Sequence, residues 1–508
     1  MLQEAHDDDV RRPAGRSSTT HPAPTLEGSR MSDVDHAVGA AAEAAVPFEQ
    51  AGRVRRADAL DAVAAALEDD RHAIVSTADD ETALGATRLN GELTRTTYQL
   101  RLFGEVLREG SYVEATIDHA GDTPMGPKPD LRRMLVPVGV VGVFGASNFP
   151  LAFSVPGGDT ASALAAGCPV VVKAHPSHPE TSRRTFAAMR AGLTEAKLPE
   201  GTLGLVEGLE AGKELVTHPD VRAVGFTGST RGGRALADLA AARPQPIPFY
   251  GELGSLNPLV VTPEVAAGQA QEFAAGYVGS ITMGVGQFCT KPGLLFAPAG
   301  DGGDELRAAL GAKLAEVPAG RMLNDSIRDA YQRETERRRA DGRLRTLGDG
   351  QGDDPALGRP VVFSVAAADL DAELLEECFG PTALVIEYRD TGELLAALDR
   401  LEGQLTATVH AGEGETELVD RLHATLRRRA GRLLFGGFPT GVAVTWAMQH
   451  GGPYPSASLS AHTSVGPTSI RRWLRPISYQ NAPEHVLPEE LREANPGIPR
   501  RVDGILQT

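Results

Sequence analysis

The stretch GSITMGVGQFCTKPG, residues 279–293, sets one thiol, Cys289, among small and apolar neighbours, with Gly284 and Gly286 before it and Lys291-Pro292 after. A thiol attacks as thiolate, and an unperturbed cysteine is only a few per cent ionised at neutral pH. Flanking glycines let a backbone approach a bound molecule, and the Cys289 amide could then face a developing oxyanion. A lone cysteine in apolar company also reads as a small core residue. The other chemical groups of the chain have to decide.

Five further fragments carry such groups. In GASNFP, Asn148 follows an apolar run and precedes a helix. Its carboxamide could donate to an oxyanion, an interaction worth about 3–4 kcal/mol, or it could cap the helix. In VVVKAHPSHP, Lys173 ends a buried strand, the edge at which open α/β sheets bind ligands; it could equally snorkel to solvent. His175 and His178 do not suggest a metal, because prolines break any common helical face and no Cys or Asp stands nearby. In GFTGSTRGG, Gly228, Ser229 and Gly233 sit where a strand gives way to a helix, and free amides there would suit a pyrophosphate. The run is neither G-x-G-x-x-G nor a Walker sequence. Glu252, in YGELG, is a carboxylate among apolar residues and glycines, fit for a general base or for a solvated loop. Glu377 and Phe379, in EECFGP, offer an acceptor and an aromatic face, or merely a helix end before a proline turn.

Elements must bring these groups together. A chain of 508 residues exceeds one core and predicts two or three domains. Its 50 basic and 67 acidic residues give a net charge of −17, which argues against a nucleic-acid or anionic-membrane surface. Three cysteines, Cys168, Cys289 and Cys378, make no disulfide framework, so a cytoplasmic protein is expected. Residues 1–32 are polar, lack an apolar core segment and are expected to form a disordered tail, with Met31 an alternative start. Residues 134–158 carry no charge, yet their prolines and glycines fit a strand, loop and helix start better than a membrane span.

Residues 33–111 have helical spacing; residues 114–132 predict a protruding hairpin. From 134 onward short apolar runs alternate with helical stretches, the pattern of a parallel sheet covered on both faces. The domains expected are 33–252, 253–452 and a return segment, 453–508. The Gly- and Asp-rich run DGRLRTLGDGQGDDPALGRP reads as an exposed loop. No H-E-x-x-H and no G-x-S-x-G supports a metal- or serine-dependent hydrolase.

In their order and rough spacing, SNFP, VVVKAHPSHP, GFTGSTRGG, GELGSLNP, GQFCTKPG and EECFGP resemble the NAD(P)-dependent aldehyde dehydrogenase superfamily. The resemblance runs from about residue 33 to the C-terminus. It implies an α/β fold with a Rossmann-type cofactor domain, an α/β catalytic domain and a small oligomerisation hairpin. It implies Cys289 as nucleophile, Glu252 as general base and Asn148 as oxyanion donor. Lys173, with His175 and Ser177 beside it, would meet the adenosine ribose; Gly228, Ser229 and Gly233 the pyrophosphate; Glu377 and Phe379 the nicotinamide ribose and ring. A homodimer or homotetramer follows by the same resemblance, while the charge balance and the broken apolar run predict no nucleic-acid and no membrane partner.

Two positions depart from the family pattern. Many NAD-preferring members place an acid three residues after the lysine, where this chain has Pro176. With no carboxylate to repel a 2′-phosphate, NADP is expected to be accepted and even preferred over NAD. Ser147 stands where many members have Trp before the Asn. The segments KAHPSHPETS, MQHGGPYPSAS and the C-terminal run resemble α-ketoglutarate semialdehyde (2,5-dioxopentanoate) dehydrogenases and their relatives, the NADP-dependent fatty-aldehyde dehydrogenases. A CoA-acylating enzyme would lack Glu252; an inactive homologue would have lost the nucleophile.

Overall fold

The computed structural model describes residues 32–508, so the N-terminal tail lies outside the described residues. Two parallel sheets dominate. The first has the order Leu203–Val206, Val170–Lys173, Val140–Phe144, Val221–Thr227, Phe249–Glu252, with every pair parallel. Counted in chain order from Val140–Phe144, the strands run 3-2-1-4-5, a doubly wound arrangement. The order reverses between Val140–Phe144 and Val221–Thr227, and a crevice opens at the carboxyl ends of those strands. Successive strand residues feed opposite cores: Val141, Val143, Val170 and Val172 enter one cluster, while Val140, Phe144 and Val171 enter another. Burial on both faces is why these strands read as continuous apolar runs.

The second sheet has the order Arg345–Asp349, Val361–Ala366, Thr382–Tyr388, Leu294–Pro298, Leu259–Val261, Gln404–His410, Ala430–Phe435. All neighbours are parallel except the first pair. Leu294 and Phe296 point into one core, and Leu295 and Ala297 into the other. Here the sequence reading needs a correction. Arg345–Asp349, expected inside a loop, is the antiparallel edge strand, paired with Val361–Ala366. Charged and polar residues such as Arg345 and Thr346 suit an edge that faces solvent, which hides it from an apolar pattern.

A third sheet joins distant parts of the chain. Leu131–Pro137 pairs antiparallel with both Thr116–Asp118 and Leu474–Gln480, and Thr116–Asp118 also pairs with Arg500–Val502. A short hairpin of Gly121–Thr123 and Gly126–Lys128 projects from it. Residues 33–109 form the helices Asp33–Gln50, Gly52–Asp69, Arg71–Thr82 and Ala86–Glu109. Among the described residues, no helix is long and apolar enough to cross a membrane.

Trp473 couples the third sheet to the first. It is fully buried, its indole N–H donates to Ser162 Oγ at 2.8 Å, and its ring meets Tyr250 edge-on at 5.3 Å. Trp473→Ala should therefore lower the unfolding free energy by ~3–5 kcal/mol, read from urea denaturation with the slope unchanged.

Candidate active site

Cys289 stands on a loop that the backbone has to be forced into. The helix Ala270–Thr282 ends, and Gly284, Val285 and Gly286 all take positive φ, at +57°, +57° and +66°. A β-branched residue there is strained. At Gly286 a Cβ would lie 2.2 Å from the carbonyl oxygen of Gly380, so only glycine permits that approach. The loop is then pinned twice. Asn257 Nδ2 donates to the carbonyls of Cys289, at 2.7 Å, and of Lys291, at 3.0 Å. The buried Lys291 ammonium donates to the carbonyls of Cys378, Gly380 and Thr382 at 2.7, 2.9 and 3.0 Å. Lys291 thus ties the loop of the thiol to the loop of Glu377 and Phe379.

Glu252 ends the last strand of the first sheet and is buried. A return segment zips onto it: Leu253 N donates to Ser456 O at 2.8 Å and Ser458 N to Gly251 O at 2.9 Å. That return carries two partners for the carboxylate. His450 Nε2 lies 2.9 Å from one oxygen, and Ser464 Oγ donates to the other. The same Nε2 lies 3.6 Å from Cys289 Sγ. Thiol, imidazole and carboxylate therefore form one cluster, their ligating atoms within 4.8 Å of one another.

Burial alone would push the Glu252 pKa up. The His450 imidazole and the Ser464 hydroxyl outweigh it and hold the carboxyl below its ordinary value. The opposite holds for Cys289: burial first, then the negative charge of Glu252, raise its pKa well above that of a free thiol. Asn148 is buried, and its carboxamide donates to Gln287 O, two residues before Cys289, at 3.0 Å. Its second N–H can serve an oxyanion.

From this cluster a groove of about 670 Å³ runs across the carboxyl ends of the first sheet. Asn148, Glu252, Cys289, Lys173, His175, Gly228, Ser229, Glu377 and Phe379 all line it. Ser229 caps the helix Thr230–Ala241 by accepting from Gly232 N at 3.2 Å, which turns the first helical amides toward the groove. Gly233 lies beneath that turn, where a Cβ would strike Leu253 at 2.2 Å. Ser177 stands beside the groove; its hydroxyl accepts from Asn324 Nδ2 at 2.8 Å. Burial depresses the His175 pKa to about 3, so its ring is neutral. A long groove with a helix start, a lysine without an acidic partner among the described residues and a glycine cradle fits a dinucleotide.

The sequence reading did not single out His450 as a site residue. It lay inside the motif MQHGGPYPSAS, and its approach to Glu252 depends on a chain reversal about 200 residues downstream that periodicity cannot show. The HGGP turn that carries His450 is pressed against the second sheet, where a Cβ on Gly452 would lie 2.2 Å from Gln404 O.

A sequence profile described as the aldehyde dehydrogenase family matches residues 7–453. The chain belongs to the aldehyde dehydrogenase family. It is an oxidoreductase of aldehydes that uses a nicotinamide cofactor. It is 46% identical over 492 residues to alpha-ketoglutaric semialdehyde dehydrogenase 2 of Azospirillum brasilense, covering 95% of this chain and 93% of that protein. It is 42% identical over 484 residues to alpha-ketoglutaric semialdehyde dehydrogenase of Acinetobacter baylyi, covering 94% and 92%. Among solved structures, aldehyde dehydrogenase C of Pseudomonas syringae, complexed with NAD+ and octanal, is similar in fold. Its TM-score is 0.73 at 21% identity, covering 89% of each chain. Proline utilization A of Bradyrhizobium japonicum gives a TM-score of 0.74 at 24% identity, and this chain spans only 44% of its length.

The raised thiol pKa has a direct consequence. Cys168 and Cys378 are buried, so alkylation by iodoacetamide reports Cys289. A group titrating above its ordinary value is protonated at neutral pH and gains thiolate as pH rises. The alkylation rate should therefore climb ~10-fold per pH unit from 7 to 9. A plateau below pH 7 would mean that His450 already holds the thiol ionised.

Proposed function

We propose that this chain oxidises α-ketoglutarate semialdehyde to 2-oxoglutarate, accepting NADP at least as well as NAD. The observation that carries the reading is the meeting of Cys289, His450 and Glu252 at one end of a groove whose other end holds Lys173 and the Ser229-capped helix. The substrate follows from the names of relatives identical at 46% and 42% over nearly the whole chain.

Cys289 attacks the aldehyde carbon, and its proton passes to the imidazole 3.6 Å away. Asn148 and the Cys289 amide hold the oxyanion. The chemistry that a bound nicotinamide supplies is acceptance of the hydride shed by the adduct on Cys289. Lys173, Gly228, Ser229, Gly233, Glu377 and Phe379 would hold the cofactor, with His175 and Ser177 beside Lys173. Glu252 then takes a proton from the water that hydrolyses the thioester. Lys173 and Lys213 line the groove, Lys213 paired with Glu210 at 2.8 Å and Lys173 with no carboxylate among the described residues, while Pro176 brings none. That charge balance supports a 2′-phosphate.

Assembly as a homodimer or homotetramer in the cytoplasm belongs to the same reading. The last strand, Ile505–Gln507, leaves an edge with Ile505 and Leu506 exposed at 69% and 58%, apolar surface suited to a second copy. Light scattering should return at least twice the 53.5 kDa of one chain.

Steady-state assays across ω-carboxylated, short and long aldehydes with both cofactors test the assignment. The carboxylated semialdehyde should exceed an uncharged aldehyde of equal length at least ~10-fold in kcat/KM, without CoA. A preference for long uncharged chains would instead indicate a fatty-aldehyde enzyme, and a clear preference for NAD would refute the cofactor reading. Cys289→Ala should abolish turnover while cofactor still binds. Glu252→Gln should spare the first turnover but slow thioester hydrolysis by ~10²–10⁴-fold, visible as a burst of reduced cofactor.

A further inference from the structure

The helix Ala86–Glu109 brings a second set of charged groups to the thiol. Positions 88, 92, 95 and 99 fall on one helical face. Glu92 and Gln99 are buried there, and one Glu92 oxygen accepts the amides of Leu151 and Ala152 at 2.8 and 2.9 Å. Arg88 donates to Asn148 O at 2.6 Å and lies over the rings of Phe149 and Phe288, at 5.0 and 4.7 Å. Arg95 lies over Phe153 at 5.1 Å, and Phe153 in turn lies 6.4 Å from His450. The two guanidiniums therefore rest on rings that flank the oxyanion donor, the nucleophile and the imidazole.

Arg95 differs from its neighbours in one respect. Both of its terminal nitrogens are shielded from solvent, and neither has a hydrogen-bond partner among the described residues. Arg432, whose field also reaches Cys289, already donates to Gly441 O and Pro439 O. On the shared helical face Arg88 and Arg95 both feel the single carboxylate of Glu92, and Arg95 makes no ion pair within 4.0 Å among the described residues. A buried cation without an acceptor is costly, and proteins keep one where something else completes it.

We infer that Arg95 receives the carboxylate at the far end of the semialdehyde, while Arg88 fixes the Asn148 backbone beside it; this rests on the substrate reading above. A guanidinium presents a planar fork that binds a carboxylate through two parallel hydrogen bonds. An anchor beside the aromatic lining of the thiol would orient a short ω-carboxylated aldehyde with its carbonyl toward Cys289. The Glu252 carboxylate and, once ionised, the Cys289 thiolate also act on Arg95, so the competing role is support of the thiolate, which would serve every aldehyde equally.

Arg95→Met and Arg95→Lys, made in the full chain, separate the two roles. The readout is the ratio of kcat/KM for α-ketoglutarate semialdehyde to that for pentanal, with thermal melting and cofactor titration as controls for folding. The Met variant should lose ~100-fold of the ratio, mainly through KM for the acid. The Lys variant keeps a cation above Phe153 and should lose ~10-fold. Equal slowing of both substrates would overturn the inference while leaving the substrate reading intact. A wild-type enzyme with no preference for the carboxylated substrate would overturn both. Should the Met variant fail to fold, the Lys variant and competitive inhibition of the wild type by glutarate carry the test: a glutarate inhibition constant unchanged by Arg95→Lys counts against the anchor.

Discussion

A carboxylate buried to 4% exposure organises this molecule. Glu252 cannot stay ionised in such a place without partners, because the desolvation penalty of an unpaired charge exceeds most single interactions in a protein. Its partners, His450 and Ser464, lie about two hundred residues downstream. The chain must therefore double back across the first sheet, and the backbone bonds of residues 251–253 with 456–458 are what this return looks like. The segment that neutralises the carboxylate is also the one that leads, through the buried Trp473, into the third sheet. Electrostatic satisfaction at the site and closure of the fold are one event.

The second constraint is mechanical. A nucleophile on a loop needs to be held as firmly as one on a helix. Asn257 and Lys291 do this from opposite sides: one grips the carbonyls of Cys289 and Lys291, the other fastens the loop to the backbone of residues 378–382. Burial lowers the Lys291 pKa to about 8, yet three carbonyl acceptors match the three protons of an ammonium, and that match keeps it charged near neutrality. The positive φ of Val285 is backbone strain held by these bonds.

Much of this was legible in the sequence, and for definable reasons. Parallel strands buried on both faces are continuous apolar runs, so VVVK, GLLFAP and ALVIEY mark their own positions. The edge strand Arg345–Asp349 was not legible, since an edge has to look polar. Cys289, Glu252 and Asn148 were each ambiguous alone, and the six ordered motifs that resemble the family singled them out. Arg95 and His450 were not singled out. An arginine in an amphipathic helix resembles any solvated cation, and a histidine before two glycines resembles a turn. What distinguishes them is a missing partner in one case and a shared one in the other, and neither property exists before the chain is folded.

Sharing one partner sets the thiol and the carboxylate in competition. His450 Nε2 faces both Cys289 Sγ and Glu252 Oε1, and one nitrogen carries at most one proton. A proton placed there supports the carboxylate or hydrogen-bonds the sulfur, but the two demands compete. Thiol and carboxylate are also coupled by charge, because ionised Glu252 raises the Cys289 pKa, so the apparent pKa values belong to the pair and not to either member. The Cys289 sulfur and the Glu252 carboxylate thus meet at a single nitrogen, so any change that moves His450 disturbs both at once.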